Sequence, residues 1–258
     1  MKREDGLKAP SAFLLALEGR APWELGATLA SFPLMRFAPR GDGHSVVVFP
    51  GLAASDVSTL LLRAFLRERG YRPHGWDLRF NLGPRQGVVD QMFDHVHRIR
   101  KESGRKVSLV GWSLGGVYAR EIAKLMSDDV RCVITLGSPF TGNPRANNAW
   151  RIYELASGHS LDDREQVQRV REAPPVPTTS VFSRSDGIVA WQCCLQEQGE
   201  LSESIEVVAS HVGMGVNPAA WYALADRLSQ PQGKWRPFHR DGWRNLLYRD
   251  PYRADGPG

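Results

Sequence analysis

Cysteine is scarce in this chain: three residues in 258, Cys132, Cys193 and Cys194, two of them adjacent. An odd, clustered set does not make a disulfide framework and points to a reducing compartment. The three also lack metal-ligand spacing, and no His-Glu-x-x-His run occurs, so no metal is expected. Long apolar runs are missing too, none approaching the ~18 residues that span a bilayer. The N-terminal stretch MKREDGLKAPSAFLLALEGR has acids ahead of its apolar run, ends it with Glu18 and Arg20, and offers no small-residue cleavage site. It reads as an amphipathic helix rather than a signal peptide. The expectation is a soluble, cytoplasmic protein without stable membrane insertion. Internal repeats, low-complexity tracts and a Gly-rich phosphate loop are likewise missing. A net charge of +5 on a chain with 24% charged residues is a modest imbalance. It names no nucleic-acid partner.

What is present is enough apolar residue, 42% of the chain, for one sizeable core, so 1–258 is read as a single domain. Near-continuous apolar runs recur at 45–51, 107–112, 132–139, 178–183 and 205–210, with a weaker one at 72–78. Such runs suit strands buried on both faces of a mostly parallel sheet. Between and after them, 58–70, 86–102, 114–128 and 217–230 carry apolar residues at helical spacing. Alternating strand and helix predicts an open α/β sheet flanked by helices. Two segments break the rhythm. Residues 141–177 are too long for an ordinary connection and predict a small helical cap. Residues 231–258 form a C-terminal arm with six Lys or Arg against three Asp.

The stretch VSLVGWSLGGVYARE, 107–121, carries the chemistry. A nucleophile on a sharp strand-to-helix turn requires glycine two residues before and two after it, and Gly111 and Gly115 flank Ser113 in that way. The bare pattern is common in a chain with 25 glycines. Its context is what counts: a buried-strand pattern enters and a helical pattern leaves, and the helix start favours developing negative charge at the serine. A tight packing turn is the bland alternative.

A serine hydroxyl is a poor nucleophile unless a histidine takes its proton and a carboxylate holds that histidine's tautomer. After Ser113 come His159, in the expected cap, His211, just beyond a late strand, and His239, in the arm. Open α/β sheets collect functional groups beyond the carboxyl ends of strands, which favours His211. The same reasoning selects Asp186 in the Ser-Asp-Gly turn after 178–183, ahead of Asp162 and Asp163 at a helix start in the cap. The bland role of Asp186 is to form that turn. An oxyanion needs two donors in place: the N–H of Leu114, and that of Leu52 after the Pro50-Gly51 turn. Trp112, Trp150, Tyr153 and Trp191 are candidate substrate-binding residues, with ordinary core packing the alternative for each.

Together VVVFPGL, RFNLGPRQG, VSLVGWSLGGVYARE, VITLGSPFTG, SRSDGIVAW and SHVGMGVNP span roughly 45–227. They resemble the α/β-hydrolase superfamily, in particular its bacterial esterase/lipase branch of EstA-type triacylglycerol lipases. The resemblance implies a Ser113, Asp186, His211 triad, Leu52 and Leu114 as oxyanion donors, no cofactor, and a small-molecule ester substrate. Phe49-Pro50 stands where many such lipases have a histidine before the oxyanion glycine.

Two rival functions stay open at this point. The same triad serves a thioesterase or acyltransferase. In a different class, the arm's Trp235, Phe238, Trp243, Tyr248 and Tyr252 alternate with basic residues, a mixture that stacks bases or lies on an anionic surface. Its bland counterpart is an arm covering an apolar patch on its own domain or on a second subunit, which leaves a homo-oligomer open.

Overall fold

The computed structural model describes residues 7–85, 87–143, 145–150 and 164–253. Six parallel strands form one sheet: β1 (Ser45–Phe49), β2 (Arg72–His74), β3 (Val107–Trp112), β4 (Val130–Leu136), β5 (Thr178–Phe182) and β6 (Ser202–Glu206). Their order is β2-β1-β3-β4-β5-β6. Alternate side chains of a strand face opposite ways, and both faces here are covered. Val46 and Val48 join one core with Leu62, Phe65, Trp221 and Leu224. Val47 and Phe49 join a second with Met92, Val96, Tyr118 and Ile122. That double burial is why the strands read as unbroken apolar runs.

The helices that supply those partners are α3 (Leu60–Glu68), α4 (Val88–Ser103), α5 (Leu114–Leu125) and α7 (Pro218–Leu228); α6 is Arg164–Arg171. In α4 the buried residues are Met92, His95, Val96 and Ile99, the i, i+3, i+4, i+7 stripe of a helix lying on a sheet. Helix α7 starts where Asn217 Oδ1 accepts the N–H groups of Ala219 and Ala220 and Pro218 occupies the first turn. An Asn cap followed by Pro fixes a helix start by satisfying one set of free donors and removing another.

Two expectations are corrected. The last strand is Ser202–Glu206, earlier than the apolar run 205–210. Its polar residues are buried because they have charged partners: Glu203 accepts Arg227 Nη1 at 2.9 Å and Glu206 accepts Arg184 Nε at 3.2 Å. At the N-terminus, helix α1 is only Ala12–Ala16, followed by a 3-10 turn at Leu17–Arg20. A second helix, α2 (Ala21–Met35), follows directly, although Pro33 lies inside it. Residues 151–163 of the expected cap, with Tyr153, His159, Asp162 and Asp163, lie outside the described residues.

The arm folds back on its own domain. Phe238 and Tyr248 are buried in the first core and meet edge to face at 4.8 Å. Tyr248 donates its hydroxyl to the Ala219 carbonyl at 2.8 Å, and Arg253 pairs with Glu206. The short helix α8 (Arg244–Leu247) places Trp243 against Tyr222 of α7. No described helix is long and apolar enough to cross a membrane.

Candidate active site

The carboxyl ends of β1, β3, β5 and β6 converge on one spot. Strand β3 runs into Ser113, whose backbone has φ 54° and ψ −124°, a conformation that costs an L-residue energy and persists only where surroundings impose it. The surroundings are backbone. A β-carbon at Gly111 would collide with Gly115 and Gly116, and one at Gly115 with the carbonyls of Phe49 and Pro50. Both glycines are therefore required for strand, elbow and helix α5 to approach so closely.

Beyond β6, His211 places Nε2 2.9 Å from Ser113 Oγ. Beyond β5, Asp186 places Oδ2 2.7 Å from His211 Nδ1. The other oxygen of Asp186 accepts the N–H groups of Ile188 and Val189, each at 2.8 Å, so the carboxylate cannot swing away. Both Asp186 and His211 are almost fully buried. Burial pulls the imidazole pKa down, but the charge of Asp186, its hydrogen bond and the charge of Glu18 act the other way, and the net shift is upward. With Asp186 accepting from Nδ1–H, Nε2 carries the lone pair that faces the serine.

Leu114 follows Ser113 directly, and Leu52 follows Gly51 in the turn after β1. Leu114 opens α5 after an elbow that provides no side-chain cap, leaving its N–H at the free end of the helix. Gly51 is so close that a β-carbon there would lie 3.3 Å from the Ser113 β-carbon. The turn containing Leu52 is pinned by Asn81, whose role sequence reasoning missed. Asn81 accepts Ala53 N–H at 2.7 Å, donates its own N–H to Ala54 at 2.8 Å, and donates Nδ2 to the Pro50 carbonyl at 2.8 Å. Ala53 is held at φ 57° by this arrangement. The signal was Asn81 in RFNLGPRQG, a polar residue with no local partner in view.

The proposed substrate-binding residues are placed differently from one another. Trp112 donates Nε1 to the His211 carbonyl at 3.1 Å and packs its ring at the Gly215 position. Trp191 stacks on Phe182 and lies under the Arg184 guanidinium, 3.8 Å from it. Trp150 is half-buried beneath Arg145.

A second Asp, His, Ser chain shows what bond lengths alone are worth. Asp42 lies 2.6 Å from His44 Nδ1, and His44 Nε2 lies 2.8 Å from Ser108 Oγ. Ser108 is fully buried inside β3, at an irregularity in its pairing with β4, with Cys132 Sγ 3.2 Å from its hydroxyl. Here burial outweighs the hydrogen bond to Asp42, the charge of Arg131 adds to it, and the His44 pKa drops to about 4. No elbow and no helix start face Ser108, so this chain is structural. Among the described residues no group of His, Cys, Asp and Glu is placed to hold a metal ion.

A parallel α/β sheet with a strained serine elbow, and acid and histidine beyond later strands, defines the class of α/β hydrolases. The profile of the Alpha/beta hydrolase family matches residues 37–250, and the chain belongs to that family. Among solved structures, Aspergillus fumigatus lipase B aligns with TM-score 0.56 and 18% identity over 73% of this chain and 52% of that one. A monoacylglycerol lipase of Paleococcus ferrophilus aligns with TM-score 0.53 and 15% identity over 75% and 96%. The thioesterase domain of the curacin biosynthetic pathway gives TM-score 0.52 and 14% identity over 72% and 92%. This chain thus spans about half the length of the first and nearly all of the other two. At these identities the likeness is one of fold. No curated protein matches in sequence.

Proposed function

We propose that the protein is a carboxylic ester hydrolase acting through an acyl-enzyme on Ser113, in the esterase/lipase branch that its motifs resemble. The observation that carries this reading is the unbroken chain from Asp186 through His211 to a serine held at positive φ. Ser113 Oγ attacks the ester carbonyl carbon while its proton passes to His211 Nε2. The oxyanion is taken up by the N–H groups of Leu52 and Leu114, and Asp186 stabilises the imidazolium. Collapse breaks the bond to the alcohol, which leaves with the proton from His211. Water, deprotonated by the same nitrogen, then hydrolyses the acyl-enzyme and restores Ser113. The reaction needs no cofactor, and three buried thiols support a cytoplasmic setting.

Covalent labelling by a fluorophosphonate, with the modified residue located by mass spectrometry, tests this reading. A single adduct on Ser113, lost in Ser113→Ala, is the expected result. A folded wild-type protein that takes no label overturns it. Because a thioesterase domain shares the fold, short p-nitrophenyl esters and acyl-thioesters assayed side by side decide the substrate class, and faster ester turnover is expected.

A further inference from the structure

The N-terminal helices cross the two loops that carry Asp186 and His211, and two carboxylates make the connection. Glu18 Oε1 accepts the N–H of Gly187 and the N–H of His211, both at 2.8 Å, and Oε2 accepts the N–H of Val212 at 2.9 Å. Glu24 accepts the N–H and the hydroxyl of Ser210, each at 2.7 Å. Between them Arg20 donates Nε to Glu24 at 2.9 Å and Nη2 to the Ser185 hydroxyl and carbonyl at 2.7 and 3.0 Å. The loops are shaped for this contact. A β-carbon at Gly187 would strike the Leu14 carbonyl, and one at Gly213 would strike the Glu24 carboxylate. Each catalytic loop therefore has a glycine where the N-terminal segment presses on it.

We propose that Glu18 is a positioning residue for the hydrolysis, one carboxylate that fixes the acid loop and the histidine loop to each other. This rests on the assignment of Ser113, Asp186 and His211 as the triad. The three donors bound by Glu18 belong to His211 itself, to its successor and to the successor of Asp186. Their common anchor sets the spacing across which Asp186 reaches His211. Charged donors and acceptors make stronger and shorter bonds than neutral ones, so a carboxylate suits this task better than an amide. The same negative charge lies close enough to the imidazole to favour its protonated form. The groups facing His211 are Asp186 and Ser113 at its two nitrogens, Glu18 at its backbone, and Glu24, partnered by Arg20, at Ser210. Replacing Glu18 by glutamine removes one charge from that set and turns an N–H donor toward at least one loop N–H.

The test compares wild type, Glu18→Gln and Glu18→Asp in the full chain by two readouts. The His211 imidazole is titrated by NMR, a measurement independent of activity, and kcat and KM are followed against pH on a p-nitrophenyl ester. Glu18→Gln is expected to lower the His211 midpoint, and to lower kcat at least about tenfold with little change in KM, since misplacing a reacting group by about 1 Å costs up to about 100-fold. Glu18→Asp, which keeps the charge but is one methylene shorter, is expected to hold the midpoint near wild type while kcat still falls. An unchanged midpoint in a folded Glu18→Gln protein overturns the proposal. So does a fall in kcat matched by an equal fall in melting temperature with no shift of midpoint, the mark of a purely structural role. If Glu18→Gln does not fold, wild-type kcat in Glu18→Asp overturns it. Failure of fluorophosphonate to label the wild-type protein rejects the hydrolase reading separately, and the NMR titration still reports whether Glu18 governs His211.

Discussion

At the scale of single residues, the site divides its labour in ways that substitutions separate. Ser113→Ala removes the nucleophile without touching the backbone that strains it, so folding is retained. Turnover falls by about 10⁴-fold or more, the usual loss when a triad member that handles the bond or the proton is removed. His211→Ala is expected to be as severe. Asp186→Asn works differently: an amide nitrogen in place of Oδ2 donates to Nδ1, which forces the proton onto Nε2 and leaves nothing to accept from Ser113. A loss of about 10⁴-fold is expected, and a steady-state assay of any variant at wild-type rate removes that residue from the triad. The pH profile carries the same logic. In the proposed mechanism His211 must be neutral to act as base, and its pKa is raised, so the acid limb of kcat/KM is expected above the usual imidazole value. Activity rises as pH passes upward through it, and replacing Asp186 by Asn moves that limb down.

Individual elements show where the sequence was legible and where it was not. Strands β1, β3, β4 and β5 are buried on both faces, and a run such as SVVVF announces this directly. Ser113 could be placed because its glycine requirements lie two residues either side. Strand β6 could not be bounded, since Glu203 and Glu206 look exposed until Arg227 and Arg184 are brought to them by the fold. Helix α2 was hidden by Pro22 and Pro33, and Asn81, Glu18 and Glu24 by partners up to 194 positions away. Contacts of that range leave no periodic trace.

The loop before β1 makes the element-scale prediction. His44, buried against Asp42, Arg131 and Ser108, has its pKa lowered from 6.5 to about 4. The unfolded chain binds a proton at His44 below pH 6.5 that the folded chain refuses until about pH 4, so stability falls with pH across that window. The loss amounts to about 3 kcal/mol. His211 has the opposite sense: its raised pKa stabilises the fold below pH 6.5, and that contribution is lost as pH rises through the folded value. Urea unfolding at pH 7 and pH 4.5 measures the difference. It is expected to shrink in His44→Gln, and an equal slope in that variant would place the acid sensitivity elsewhere.

On the scale of the whole molecule, the arm decides whether this chain is one cooperative body or a hydrolase with an appended binding module. Its aromatic residues divide between the core and the surface, where Trp243 and Tyr252 are exposed. Phe238 and Tyr248 are among the buried core, and the Phe238 N–H is bonded to Glu203 at 2.7 Å. Two of its six cations are used at home, Arg244 on Asp226 at 3.0 Å and Arg253 on Glu206. Cutting the chain before residue 233 would uncover one face of α7 and take the Phe238 N–H from Glu203 and Arg253 from Glu206. A core Phe alone is worth about 3 to 5 kcal/mol against Ala, and each kcal/mol shifts the melting point of a chain this size by about 2 to 4 °C. Phe238→Ala should therefore melt about 10 °C or more below wild type, and the truncated chain should be insoluble or melt lower still. A truncated protein with unchanged melting and unchanged ester turnover would mean that the arm is dispensable to the hydrolase. The basic, aromatic sequence of residues 233–258 would then need a partner of its own to explain it.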